Sequence, residues 1–276
     1  MISVHNHRAM ATTFQVRIAG EEAEYAGQAA QALFAETDRL EKLLSRFRES
    51  SEISAIAQLK PGETLRLSEA TLACLTLARE MEAATEGAFS VTAATRQKQT
   101  ITPRWSLNPA KFTIKCEAGK LEFDLGAIGK GFALDRMAVE LAEWSCPAFL
   151  LIAGGSSILA GDPPPDTPGW SVGLGEDNSE PRHWLTHGSL SGSGIAVQGR
   201  HIFDPRTGKP ALLRDRAWAA APSAAVSDAL STALMVLDDS DTARLMCGRH
   251  EWQAFLLEKD QIHWRQLGGG EILLPV

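Results

Sequence analysis

The hydrophobic period of this chain switches repeatedly between that of a strand and that of a helix, and the order of the switches constrains its fold more than any other feature. "TTFQVRIAG" alternates and ends in glycine, which predicts a strand. "EEAEYAGQAAQALFAETDRLEKLLSRF" follows with apolar residues at helical spacing, predicting a long helix from about 22 to 46. After a turn at Pro61-Gly62, "SEATLACLTLAREMEAATEG" predicts a second helix, capped by Ser68 and stopped at Gly87. "KLEFDLG" reads as a strand and "KGFALDRMAVELAEW" as a helix. "AFLLIAGGSSILAGD" reads as two apolar strands about a Gly-Gly turn. "GWSVGLGE" and "SLSGSGIAV" give further strands, and "RHIFDPRTGKPA" a short strand running into a turn. "SAAVSDALSTALMVL" and "DSDTARLMCGR" give helices, and "WQAFLLEKDQIHWRQLG" a terminal hairpin. Strict βαβ alternation is absent, so the pattern predicts an α+β fold and not a doubly wound one. No repeat, linker or low-complexity tract divides the chain, which reads as one domain, 1–276.

A net charge of -7 argues against a general nucleic-acid binder, which would carry a basic face. Cys74, Cys116, Cys146 and Cys247 are far apart and form no CxxC pair, which speaks for reduced thiols over a zinc site or a disulfide framework. The opening residues lack the apolar core of a signal peptide, and no apolar run nears the roughly 18 residues of a membrane span. The expected location is cytoplasmic for the chain as given; a periplasmic or lipoprotein placement would follow if a leader has been removed.

The stretch "FDLGAIGKGFALD", residues 123–135, carries the most chemistry. The Walker loop needs Ser or Thr after its lysine, and Lys130 is followed by Gly131. The dinucleotide fingerprint needs a third glycine where Leu134 stands. A strand end at Asp124, a glycine turn and a helix start nevertheless suit an anion or a metal. Lys130 offers a point charge for phosphate. A glycine turn built only for tight strand–helix packing would read the same way. In "VSDALSTAL", Asp228 and Thr232 share one helix face, and a carboxylate with a hydroxyl suits a hard cation such as magnesium. An acidic residue favouring the helix dipole and a threonine bonded to its own backbone explain the pair equally well. "RHIFDPRTGKP" places His201, a candidate general base, before an Asp204-Pro205 turn.

Taken in order, these segments resemble the ApbE-type FAD:protein FMN transferase family. "MATTFQV", "LEKLLSRFRESSEISAI", "TEGAFSVT", "FDLGAIGKGFALDRMAVEL", "LLIAGGSSILAGD", "RHIFDPRTGKP" and "VSDALSTAL" each match a family element. The resemblance implies an α+β fold: a mixed sheet core with flanking helices, in two closely joined lobes with a nucleotide cleft between them. It implies Mg2+ as cofactor, FAD as substrate, and a flavin-acceptor protein as transient partner, with no nucleic acid and no transmembrane segment. The metal ligands fall on the Ala127 carbonyl and the side chains of Asp228 and Thr232. Met10, Phe47, Ala88, Phe89, Ser90, Asp124 and Lys130 fall on flavin-nucleotide contacts, and His201 and Asp204 on catalytic positions. The implied reaction moves FMN from FAD to a threonine or serine hydroxyl and releases AMP. FAD hydrolysis and non-catalytic FAD binding are the alternatives. The chain departs from the family pattern mainly on the flavin side. Phe47 replaces a tyrosine, Ser90 an aspartate, and "AATRQKQT" a longer segment.

Overall fold

The computed structural model describes residues 1–93, 101–174, 182–194, 202–259, 264–269 and 273–275. Its centre is an eight-stranded sheet in the order β1 (Ile2–Ala9), β2 (Thr12–Ala19), β6 (Phe149–Ala153), β7 (Ser157–Ala160), β10 (Gly188–Gly194), β11 (Arg214–Ala221), β12 (Gln253–Glu258) and β13 (Arg265–Gly268). A second sheet joins β14 (Leu273–Pro275), β9 (Arg182–Leu185) and β8 (Trp170–Gly173), and a third joins β3 (Thr64–Arg66), β5 (Thr113–Ala118) and β4 (Arg104–Asn108). The helices are α1 (Ala23–Leu44), α2 (Glu52–Ile56), α3 (Glu69–Ala84), α4 (Gly129–Glu143), α5 (Ala224–Leu234) and α6 (Asp239–Met246). The α+β class is borne out. The sheet expected to be mixed is antiparallel in every ladder among the described strands.

The two faces of the large sheet bury different partners, and strand alternation decides which. On β11, Ala217, Ala219 and Ala221 face the helical core, while Trp218 and Ala220 join a second cluster with Trp170, Val172 and Leu185 of the small sheet. Alanines on the helical side let α5 lie close to the sheet.

Three expectations are corrected here. Leu121, Phe123 and Leu125 are buried, with Glu122 exposed and Asp124 half-buried between them, as in a strand, but residues 120–125 join no ladder. The Asp124 N–H instead bonds the Val91 carbonyl at 2.8 Å. The alternation was a true burial pattern without a neighbouring strand to pair. "RHIFDPRTGKPA" likewise forms no strand in its described part, only a Phe203–Pro210 bridge closing the turn. β1 was not foreseen, because its outward residues, Ile2 and Val4 among them, break the polar half of the alternation.

Charged side chains, Asp135 half-buried and Arg214 buried, hold α5 at both ends. At its start, Asp135 of α4 accepts from the Ser223 hydroxyl and from the Ala224 and Ala225 N–H groups at 2.7, 2.7 and 2.9 Å. At its end, Arg214, 1 % exposed, donates to the Leu234 and Leu237 carbonyls. Acid at the N-terminus and base at the C-terminus match the helix dipole and satisfy groups the helix leaves open. Burial, the largest influence, pushes the Asp135 carboxyl above its usual range, and the bonds from Ala225, Ser223 and Ala224 offset only part of that.

Candidate functional site

The turn Gly126-Ala127-Ile128 leads into α4, whose N-cap Ile128 has no side chain able to cap it. The first N–H groups of a helix lack partners within it. Asp228 of α5 supplies one from another helix: its Oδ2 accepts from the Gly131 N–H at 3.1 Å. In a helix continued backwards, that N–H would bond the Ala127 carbonyl. Directing it to Asp228 leaves the Ala127 carbonyl for another partner.

This contact needs the two helices closer than a side chain at 131 permits. A Cβ on Gly131 would lie 2.1 Å from the Ala224 carbonyl oxygen. The packing role of this glycine and its role in the site are therefore one role.

Asp228 is 3 % exposed, and its carboxylate is fully supported. Oδ1 accepts from the Ser157 hydroxyl at 2.9 Å. The Lys130 ammonium lies 3.4 Å from both oxygens and 3.2 Å from the Gly126 carbonyl. One turn along α5, the Thr232 hydroxyl faces the Asp228 carbonyl at 3.4 Å and the Ser193 hydroxyl at 3.1 Å. Ser193 also meets Ser231 at 3.0 Å, and Ser191 meets Ser227 at 2.7 Å, so a row of hydroxyl pairs joins β10 to α5. Among the described residues no three His, Cys, Asp or Glu side chains gather as a metal cluster. The donors here are one carboxylate, a hydroxyl and carbonyls. That all-oxygen set fits a hard divalent cation, and the ammonium already stands in for positive charge beside it.

A second, more open group adjoins the first through Asp124. Its Oδ1 accepts from the Gly126 N–H at 2.9 Å, and its Oδ2 lies 3.3 Å from Arg46. The Arg46 guanidinium also sits 4.7 Å from the centre of the Phe47 ring, which is 82 % exposed. The Asp124–Val91 backbone bond brings Ala88, Phe89 and Ser90 to the same edge. Ala88 and Phe89 are buried, and the Ser90 hydroxyl pairs with Thr92 at 3.1 Å. Met10, half-buried, is at φ 50 in the β1–β2 turn. That turn lies beside the β6–β7 turn, where the Gly154 N–H bonds the Thr13 carbonyl at 3.0 Å. A side chain at Gly154, φ +61, would strike Thr12.

The two residues assigned catalysis fare differently. His201 lies outside the described residues. Asp204 is buried and engaged by Arg206, whose Nε and second guanidinium nitrogen reach its oxygens at 3.0 Å each. Arg206 also pairs with Asp241 at 3.2 Å, and its Cγ packs 3.7 Å from where a Cβ on Gly87 would stand. In this geometry Asp204 anchors an arginine against the turn before Ala88. Sequence reading passed over Ser157, Ser193, Arg46 and Arg206. A polar residue at the head of the apolar strand "SSILAG" was the available signal for Ser157.

A cavity of about 640 Å³ opens elsewhere, lined by Ala138, Ala142, Cys146, Pro147, Leu159 and His187 among others, and none of the proposed site residues lines it.

The fold is α+β, with a buried carboxylate of one helix bonded to the first turn of another and oxygen donors around it. The chain belongs to the ApbE family, whose model matches residues 10–256. It is 22% identical over 275 residues to the FAD:protein FMN transferase of Klebsiella pneumoniae (strain 342), covering 85% of this chain and 78% of that protein. The solved structure of the flavin transferase ApbE from Vibrio cholerae superposes with a TM-score of 0.79 at 19% identity, covering 98% of this chain and 97% of that one. The ApbE protein of Thermotoga maritima gives a TM-score of 0.81 at 19% identity, covering 98% and 97%. At such identities the structural likeness concerns the fold.

Proposed function

We propose that this protein is a Mg2+-dependent FAD:protein FMN transferase. The observation that carries the reading is the junction at Asp228, where a buried carboxylate, the Gly131 N–H, Lys130 and the glycine turn converge within a chain of the ApbE family. The reading is also supported by the curated relatives, which are named for this reaction.

The reaction requires an acceptor threonine or serine oxygen to bond the FMN phosphorus while the bond from that phosphorus to the AMP oxygen breaks. The hydroxyl proton passes to a base, for which His201 or Asp204 is the candidate, and AMP leaves with the electron pair. Positioning and charge neutralisation are the main demands of such transfers. Ala127, Asp228 and Thr232 would hold the metal through oxygen. Bound Mg2+ would neutralise charge on the pyrophosphate and the departing AMP. Lys130 adds a second positive charge. Phe47 offers a ring face to the flavin, and Arg46 holds Asp124 in place beside it.

The test combines the protein with FAD, Mg2+ and an acceptor protein carrying a candidate threonine. AMP release and acceptor mass are followed, with Asp228→Ala as control. AMP together with flavinylated acceptor, both lost in the variant, is the expected result. AMP with no labelled acceptor, over a panel of acceptors, would instead indicate hydrolysis. Tight FAD binding with no AMP would indicate a binding protein.

A further inference from the structure

Lys130 stands in a place that its assigned role does not explain. Contact with phosphate does not by itself require contact with Asp228. Here the ammonium is equidistant, at 3.4 Å, from the two Asp228 oxygens, facing both atoms through which the carboxylate would hold a cation. Its third oxygen partner is the Gly126 carbonyl at 3.2 Å, one residue before the proposed carbonyl ligand. The Asp228 side chain is 4% exposed and Lys130 22% exposed. Lys130 is the positive charge that the structure places against this buried carboxylate. Ser157 and Gly131 supply hydrogen bonds but no net charge.

We propose that Lys130 is a tethered counter-ion that occupies the cation seat of the unloaded protein and is displaced from it when the metal binds. The proposal rests on the reading of Asp228 as a metal ligand. An ammonium and a divalent ion cannot both face the same two carboxylate oxygens, because like charges at that separation repel strongly. The displaced ammonium, on a flexible four-carbon stem, then reaches the nucleotide phosphates. Metal and nucleotide would therefore assist each other: the metal frees the lysine for phosphate, and the phosphate removes the metal's competitor. By linkage, each raises the affinity of the other by the same factor. The same residue opposes one ligand and supports the other, so its removal should move the two affinities in opposite directions.

The test is a Mn2+ titration followed by electron paramagnetic resonance, without nucleotide, on the wild-type protein, Lys130→Met, Lys130→Arg and Asp228→Asn. FAD binding at fixed Mg2+ is measured in parallel. Lys130→Met should bind Mn2+ about 10- to 100-fold more tightly than wild type, the worth of one charge-assisted hydrogen bond, and should bind FAD more weakly. Lys130→Arg, which keeps the charge, should not gain. If wild type binds Mn2+, Asp228→Asn does not, and Lys130→Met shows no gain, the proposal is wrong while the metal reading stands. If wild type and Asp228→Asn bind alike, with or without FAD, the metal reading fails and the proposal fails with it. A crystal of wild-type protein soaked in Mn2+ gives an answer independent of variant folding. The ion should lie on Asp228 with the Lys130 ammonium beyond hydrogen-bond distance of both oxygens. An ammonium left in place overturns the proposal.

Discussion

The two halves of the candidate site are built differently. The Asp228 end is assembled from α4, α5, β7 and β10, and its groups hold one another in a buried hydrogen-bonded network. The Asp124 end is made of loops and turns, and its most prominent ring, Phe47, is 82 % exposed. A network fixed by several elements tolerates little change, because each atom is placed by more than one partner. A wall of exposed loop residues can change without cost to the fold. Two of the departures read in the sequence, Phe47 and Ser90, fall on this second half, Phe47 exposed and Ser90 buried.

The comparison predicts large, coupled effects at the buried end. Asp228→Ala should lower the rate of Mg2+-dependent FMN transfer by at least about 100-fold, since even partners that only orient a ligand are worth 10- to 100-fold. Quantifying labelled acceptor by mass spectrometry tests this. A variant retaining most of the rate would take Asp228 out of the chemistry. Gly131→Ala should come next, acting through the fold. Its methyl would meet the Ala224 carbonyl at 2.1 Å, so α4 and α5 must separate. Overpacking of this kind costs about 1–3 kcal/mol, readable as a lower denaturation midpoint, with metal affinity falling in parallel. Unchanged stability would mean the helices are not pressed together as described.

Ser157→Ala should produce a smaller and more selective effect. It removes one of the two hydrogen bonds from uncharged donors to Asp228, so metal affinity should fall by about tenfold while stability falls by about 1 kcal/mol. Saturating Mg2+ should restore most of the rate. A rate that stays low at saturating metal would show that Ser157 does more than orient Asp228.

The sequence made the placement of single residues more legible than their assembly. Asp228 and Thr232 were legible because helical spacing places them on one face. The glycine stretch was legible as unusual, but its reason was not, because the Ala224 carbonyl that forbids a side chain at 131 is distant in sequence. Ser157 escaped notice for the same reason: its partner is 71 residues away. Residues 120–125 have the alternation of a strand, yet pairing depends on a neighbour that periodicity cannot supply. Asp204 was legible as part of a turn, and only the fold of that turn brings Arg206 onto both its oxygens. Local rules read most single elements, β1 excepted, and the other misses lie between elements.

Phe47→Ala should have the smallest effect and sharpens the comparison most, because it separates binding from folding. The ring is exposed and lies against Arg46, so its loss should leave stability within about 0.5 kcal/mol of wild type. If the ring stacks on the flavin, its removal should raise the KM for FAD by about 2- to 10-fold, the usual worth of an aromatic pair. The kcat should change little, since a stacking contact made equally in ground and transition states affects binding alone. Arg46 should then be free of the ring while still holding Asp124, so the double variant Arg46→Ala/Phe47→Ala should lose more FAD affinity than Phe47→Ala. If neither variant moves KM, the open edge does not bind the flavin. The contrast between the two halves would then separate a ligand site from ordinary surface.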